Sequence, residues 1–143
     1  HPINIFGINA AQIEVVGQHL GWDLLVFAAV GGGEALANEH SQVPSAYFLH
    51  SAGLKVVLPS TPYDAKGLLK SAIRGEDPVL FFEHKMLYAS TGPVPEDADY
   101  MVPFGRAAVL REGNDVTLIG IGIMAQKALE AADRDPAAVF QLW

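Results

Sequence analysis

The fold is decided by residues 54–83, which read LKVVLPSTPYDAKGLLKSAIRGEDPVLFFE. The apolar runs at its two ends, 54–59 and 78–83, are short and rich in β-branched or aromatic residues, as is typical of buried parallel strands. The segment between them has the 3.6-residue apolar spacing of a helix. A strand, a helix and a strand in this order predict an α/β fold.

The helix of this unit has a clear start signal. A hydroxyl residue precedes Pro62, and Asp64 places an acid in the first turn. The helix is predicted to run through Ala65 to Ile73 and to end near Gly75. Its apolar face consists of Ala65, Leu68, Leu69, Ala72 and Ile73.

The preceding part of the chain extends the same pattern. A short apolar run, 24–30, stops at three glycines and predicts another buried strand. Helices are predicted at 9–16 and 44–51. Because α/β sheets bind ligands beyond the carboxyl ends of their strands, the segments 31–42, 59–64, 83–88 and 120–125 are the places to search for a site.

The part that follows residue 83 contains a connector and a second α/β segment. Residues 89–104 are rich in proline and acids, which indicates a surface connector between domains. Two strands are predicted at 107–111 and 116–121, joined by a turn at 112–115. A helix is predicted at 124–132.

Composition excludes several classes of protein. The chain has 143 residues, 50% of them hydrophobic and 17% charged, which is a folded composition. Its net charge is −7, without a Lys or Arg cluster, so nucleic acid is not an expected partner. It has no cysteine, and no apolar run approaches the ~20 residues of a membrane span. The start at His1 and the apolar end at Trp143 suggest a fragment.

One local feature favours a catalytic or ligand-binding role. Gly31–Gly33 follow the predicted strand, and His40-Ser41-Gln42 come seven residues later. Glycines let a ligand approach the backbone, and imidazole titrates near neutral pH. The alternative is a tight turn with a solvated histidine.

A second motif, Gly120-Ile121-Gly122-Ile123-Met124-Ala125, matches the G-x-G-x-x-A dinucleotide fingerprint. A plain strand-to-helix turn is favoured over nucleotide binding. Asp64 is interpreted as a charge that the helix dipole favours, and Glu83 as part of a surface charge cluster. His19 and His50 are isolated. No pair of histidines or acids has the spacing of metal ligands.

An ordered series of motifs resembles the β subunit of the E1 components of 2-oxo acid dehydrogenases, the family that acts on pyruvate, branched-chain 2-oxo acids or acetoin. The motifs are His40-Ser41-Gln42, the stretch from Ala52 to Leu69, Ser71-Ala72-Ile73-Arg74, Asp77 to Glu83, and Leu87-Tyr88. The resemblance spans about residues 8–132 and is weak at 14–27 and absent at 133–143.

The resemblance implies a fold and a domain organisation. Residues 1–102 are expected to form a partial pyrimidine-binding domain of the transketolase type, a parallel sheet with flanking helices. Residues 103–143 are expected to begin a second α/β domain, of the transketolase C-terminal type. The G-x-G motif then belongs to the first strand and helix of that second domain.

The resemblance also implies an activity and its cofactors. The family decarboxylates a 2-oxo acid, with pyruvate favoured here, and transfers the acyl group to a lipoyl domain. Thiamine diphosphate is the cofactor, and its magnesium ion is held by the α subunit. The family's cofactor-binding glutamate has no match in this chain. His40 matches the active-site histidine, and the backbone carbonyls of Ala72, Gly75 and Asp77 match a potassium site.

The expected partners are an E1 α subunit, a second β subunit and the lipoyl domain of the E2 acyltransferase, without nucleic acid or membrane. The expected compartment is the bacterial cytoplasm or the mitochondrial matrix. Two alternatives remain open: another transketolase-type enzyme, or a non-catalytic binding or assembly module with the same fold.

Overall fold

The computed structural model describes residues 25–33 and 41–134, and the backbone of 140–142. The helix predicted at 9–16, the candidate His40 and the isolated His19 lie outside these ranges. No helix of the described part is long and apolar enough to cross a membrane.

The centre of the fold is a three-stranded parallel sheet. Its strands are β1 (Leu25–Val30), β2 (Lys55–Val57) and β3 (Val79–His84). The order is β1-β3-β2, so the last of these three strands in the chain lies in the middle of the sheet. Val79 is in register with both Leu25 and Lys55. This arrangement confirms the predicted parallel α/β sheet.

Within the described ranges, four helical segments accompany the strands. They are α1 (Ser45–Phe48), α2 (Pro62–Arg74), a 3-10 helix at Lys85–Leu87, and α3 (Ile123–Arg134). The start predicted for α2 is confirmed, because Thr61 is its N-cap and Pro62 its first residue. The prediction at 44–51 is too long, since the α-helix there ends at Phe48 and continues as a turn.

The core has two layers because β3 is buried on both faces. Val79 and Phe81 contribute to one cluster, with Val57 and with Ala72 of α2. Leu80 and Phe82 contribute to the other, with Val30 and Phe48. A central parallel strand is covered on both sides, which explains why its sequence is continuously apolar.

The prediction of two neighbouring strands at 107–111 and 116–121 is wrong for the first strand, and the second strand is shorter than predicted. Residues 107–110 form no strand, and only Arg111 makes an isolated bridge. The next strand, β4, is confined to Val116–Leu118, and its partner is β5 (Phe140–Leu142), which runs parallel to it after α3. The apolar pattern at 107–110 is local, whereas these residues are exposed in the structure. A β-α-β unit therefore replaces the predicted pair of neighbouring strands.

The proline-rich connector lies along the outer face of α2. We call residues 93–102 the strap. Lys66 donates to the carbonyl of Pro95, Lys70 to that of Ala98, and Ser71 Oγ to that of Val102 at 2.5 Å. Tyr100 donates its hydroxyl to the carbonyl of Tyr63 at 3.0 Å, and Arg74 pairs with Asp99. The connector is thus held to the helix over three turns.

Candidate active site

The carboxyl ends of the three parallel strands meet at one edge of the sheet. The glycine loop, Gly31–Gly33, follows β1 there, the 3-10 helix follows β3, and residues 59–62 lead from β2 into α2. Parallel α/β sheets bind ligands at this edge, so it is the candidate site.

The glycine loop packs tightly against the segment after β3. Gly31 has a φ of +91°, and a β carbon there would lie 2.1 Å from Nε2 of His84. Gly33 has a φ of +109°, and its β carbon would lie 2.8 Å from the sulfur of Met86. Both positions require glycine, for the backbone angle and for the space.

The predicted His40-Ser41-Gln42 motif is described only in its last two residues. The amide of Gly31 donates to the carbonyl of Gln42 at 2.9 Å. A β carbon on Gly32 would lie 3.7 Å from that of Ser41. The glycines and the last two motif residues, which sequence reasoning linked only by their spacing, are therefore in contact at the carboxyl end of β1.

His84 is half-buried beneath this loop. Its Nδ1 accepts a hydrogen bond from the amide of Met86 at 3.3 Å, which caps the 3-10 helix. Burial, and secondarily the charge of Lys85, lower the pKa of His84 below its ordinary value of 6.5. The ring is therefore neutral at neutral pH and keeps the lone pair that accepts this bond.

A cavity of about 180 Å³ lies between the ends of β2 and β3. Glu83 lines it and accepts a hydrogen bond from the Tyr88 hydroxyl at 3.2 Å. The interpretation of Glu83 as a plain surface charge is therefore incomplete, because the residue is half-buried at the mouth of a cavity. The remaining lining is formed by Pro59, Ser60, Thr61, Pro62, Ala65, His84, Leu87 and Ser90.

A wider recess of about 680 Å³ shares the residues 60–62 with this cavity and extends toward α3. Gln126 of α3 donates to the carbonyl of Ser60 at 3.0 Å and so ties α3 to the loop after β2. Asp64 lines this recess, but its carboxylate accepts the Thr61 hydroxyl at 2.7 Å. This contact agrees with the interpretation of Asp64 as part of the helix start.

The glycines of the G-x-G motif are explained by packing. A β carbon on Gly120 would lie 2.5 Å from the Cα of Ala125, and Gly122 has a φ of +59°. The position of a β carbon on Gly122 is 3.7 Å from Leu58. These glycines form a tight strand-to-helix turn, which is the interpretation favoured from sequence.

The three residues of the predicted potassium site surround the end of α2. Ala72 is buried in the last turn, Gly75 is the C-cap in an extended conformation, and Asp77 pairs its carboxylate with Lys55 at 2.6 Å. A β carbon on Gly75 would lie 3.1 Å from the Ser71 carbonyl oxygen and 3.8 Å from that of Ala72. The glycine thus leaves space beside these carbonyls.

Two features of the site were missed by sequence reasoning. His84 stands between Glu83 and Lys85, which is the pattern of an exposed charge cluster, and only the parallel register with β1 brings its ring under Gly31. The strap was recognised as a connector, but its contacts with α2 were not expected. Among residues 25–33 and 41–134, no group of three or more His, Cys, Asp or Glu side chains could hold a metal ion.

Comparison with known proteins agrees with this architecture. Residues 5–91 match the family model described as transketolase, pyrimidine binding domain. The 2-oxoisovalerate dehydrogenase subunit beta of Bacillus subtilis is 55% identical over 112 residues, which cover 78% of this chain and 34% of the relative. The pyruvate dehydrogenase E1 component subunit beta of Porphyra purpurea is 49% identical over 108 residues, covering 75% of this chain and 32% of the relative.

Another relative is the acetoin:2,6-dichlorophenolindophenol oxidoreductase subunit beta of Cupriavidus necator, 53% identical over 109 residues, covering 76% of this chain and 32% of the relative. A solved structure described as a split gene transketolase, an inactive β4 tetramer, has a TM-score of 0.63 and 27% identity, and covers 82% of this chain and 38% of its own. The chain spans about a third of the length of these relatives. Because the family model matches more than half of its residues, the chain belongs to the transketolase pyrimidine-binding domain family.

Proposed function

We propose that this chain is part of the β subunit of a thiamine-diphosphate-dependent 2-oxo acid dehydrogenase E1 component. Such a subunit, with its α partner, decarboxylates a 2-oxo acid and passes the acyl group to a lipoyl domain. The observation that carries the proposal is the high identity to β subunits of branched-chain, acetoin and pyruvate enzymes, at 55%, 53% and 49%. The solved transketolase structure is 27% identical to this chain, so it supports the alternative, a transketolase activity, less strongly than these relatives support a dehydrogenase.

The described residues fit one wall of a cofactor site. The cavity of about 180 Å³ and the adjoining recess of about 680 Å³ are both open to the surface, and we propose that the α subunit supplies the opposite wall of the site. We assign the diphosphate and its magnesium ion to the α subunit. Thiamine diphosphate supplies the electron sink for decarboxylation, and the protein supplies position and proton transfer.

Within this site we assign proton transfer to His40, at the substrate or at the lipoyl group. Two contacts of its neighbours support this role. Gln42 accepts the Gly31 amide at 2.9 Å, and Ser41 packs on Gly32. The residues that follow His40 are thereby fixed at the carboxyl end of β1, where a parallel sheet places its ligand.

We further propose that the backbone carbonyls of Ala72, Gly75 and Asp77 hold a potassium ion. The carbonyls at a helix C-terminus carry unpaired negative partial charge, which favours a cation. A side chain at position 75 would crowd the carbonyl of Ser71 and contact that of Ala72, and Gly75 has none. Lys55, a positive side chain near the proposed site, pairs with the Asp77 carboxylate at 2.6 Å.

Assembly with other subunits is supported by exposed apolar side chains around the sheet edge. Tyr47 and Leu49 are each 66% exposed, Tyr88 60% and Met86 46%. Aromatic residues and methionine are enriched in protein interfaces. We propose an α subunit, a second β subunit and the lipoyl domain of the E2 acyltransferase as partners.

Domain boundaries and compartment complete the proposal. We place the end of the pyrimidine-binding domain at residue 102, where the strap ends, and the start of the C-terminal-type domain at 103. The separate β4–β5 sheet supports this division. Relatives from Dictyostelium discoideum and Arabidopsis thaliana are named mitochondrial, whereas others are bacterial. These names support our proposal of the mitochondrial matrix in a eukaryote and the cytoplasm in a bacterium.

The test is reconstitution of the complete β subunit with its α subunit. Sedimentation should show a stable α/β assembly, and decarboxylation of pyruvate or 2-oxoisovalerate should require both subunits and thiamine diphosphate. The relative rates on these acids and on acetoin identify the substrate, with pyruvate expected to be fastest. An active β subunit without any α partner, or a stable α/β assembly that binds thiamine diphosphate and turns over none of these substrates, would contradict the proposal.

A further inference from the structure

We propose that His84 is a positioning residue, which holds the glycine loop against the end of β3 and thereby sets the place of the segment that follows His40. Its effect on catalysis rests on the function proposed above. The contacts that carry it are all between residues on the carboxyl edge of the sheet, and they form a continuous path.

The first contact is between the His84 ring and the loop. His84 is paired with Val30, the last residue of β1, in the parallel register. Its ring reaches the next residue, Gly31, so closely that a β carbon there would lie 2.1 Å from Nε2 and 2.4 Å from Cδ2. The imidazole therefore occupies the space of the side chain that Gly31 lacks, and the loop cannot move inward without displacing it.

The second contact fixes the ring itself. Nδ1 of His84 accepts the Met86 amide at 3.3 Å, which orients the imidazole relative to the 3-10 helix. The Met86 side chain packs in turn on Gly33, whose β carbon would lie 2.8 Å from the sulfur. His84 and Met86 thus support both ends of the glycine loop, and the hydrogen bond between them couples the two supports.

The third contact passes the position of the loop to the candidate catalytic segment. The Gly31 amide donates to the Gln42 carbonyl at 2.9 Å, and Gly32 packs on Ser41. Gln42 and Ser41 are the two residues after His40 in the chain. A displacement of Gly31 would therefore displace the backbone next to His40, and small misplacements of a catalytic group cost up to about 10²-fold in rate.

Three substitutions separate the two functions of the ring. His84→Asn keeps an acceptor for the Met86 amide but uncovers Gly31, His84→Phe keeps the cover but removes the acceptor, and His84→Ala removes both. We expect hydrogen exchange of the Gly31 amide to accelerate at least about 10-fold in the Ala and Asn variants and to remain near wild type in the Phe variant. His50→Ala, at an exposed histidine, is the matched control and should leave the exchange rate of the Gly31 amide unchanged.

Catalysis gives the second readout, in the complete α/β enzyme. His84→Ala should lower kcat about 10-fold with little change in KM, because the substrate is bound but His40 is misplaced. In a His40→Ala background the same substitution should have almost no effect, since there is no imidazole left to position. Unchanged Gly31 exchange in both the Ala and Asn variants, or an equal loss of kcat in both backgrounds, would overturn the positioning role. Amide exchange of Gly31 can be measured on a protein that shows no activity. It therefore still tests the contact between His84 and the glycine loop if the proposed enzymatic function is wrong.

Discussion

Replacing Gly67 by alanine has two opposing effects. Alanine has the higher helix propensity, but its methyl group lacks space beneath the strap. Gly67 is buried in the middle of α2, and a β carbon there would lie 2.4 Å from Cγ2 of Val102 and 2.8 Å from the Tyr100 hydroxyl. Both distances are far below van der Waals contact. The helix backbone or the strap would therefore have to move to accommodate one methyl group.

Two opposing contributions decide whether Gly67→Ala raises or lowers the free energy of unfolding. Alanine in place of glycine in a helix interior stabilises by about 0.5–1 kcal/mol. Overpacking of a closely packed site costs about 1–3 kcal/mol. The strap is anchored by Ser71, whose hydroxyl donates to Val102 at 2.5 Å, so it cannot withdraw without losing hydrogen bonds. We expect Gly67→Ala to lower the free energy of unfolding by about 1 kcal/mol, the difference between the two effects.

A background that lacks the side chains of Tyr100 and Val102 should reverse the sign of the change in unfolding free energy. With Tyr100→Ala and Val102→Ala in place, the same glycine-to-alanine change should stabilise by up to about 1 kcal/mol, because only the helix propensity remains. Urea unfolding followed by circular dichroism measures both differences. Stabilisation by Gly67→Ala in the otherwise natural sequence would refute the close contact between α2 and the strap.

Four further predictions address the site and its supports. His40→Ala should lower kcat of the complete enzyme about 10²–10⁴-fold, and near-normal turnover by His40→Asn would contradict a proton-transfer role. Replacing choline chloride by potassium chloride at equal ionic strength should raise the urea midpoint, and identical midpoints would exclude the proposed potassium site. Thr61→Ala should cost about 1 kcal/mol of unfolding free energy through loss of the cap on Asp64, whereas Thr61→Ser should be nearly neutral. Because the folded-state pKa of His84 is lowered, its contribution to stability is present above about pH 6.5 and is lost as the pH falls below that value, and the stability curve of His84→Phe should lack this loss.

The sheet and α2 could be predicted from sequence because their signals are local. The continuous apolar run of β3 requires cover on both faces, and Thr61 before Pro62 defines a helix start within a few residues. The strand predicted at 107–111 is wrong because that prediction, too, used only a local signal. Its apolar pattern is equally local, but a strand also needs a neighbour, and in the described part of the chain β4 pairs instead with β5 beyond α3.

The contacts that shape the candidate site are long-range, and no local pattern reveals them. The lysines on the outer face of α2 have the composition of a solvated surface, yet they hold strap residues that lie 29 and 28 positions away in sequence. His84 is adjacent to charged residues and is still packed under a loop that begins at Gly31. Reading the glycines together with the parallel register would have indicated a close neighbour at that place, but not which side chain provides it.

The strand order also has a consequence during synthesis of the chain on the ribosome. β3 lies between β1 and β2 in the sheet but is translated after both. At about 5–20 residues per second, the interval between the appearance of Val30 and that of His84 is roughly 3–11 s. β1 lacks this partner throughout that interval, and β2 lacks it from the synthesis of Val57 onward, so both must be kept from pairing with other nascent chains. The emergence of a single six-residue segment then joins both strands of the described sheet at once.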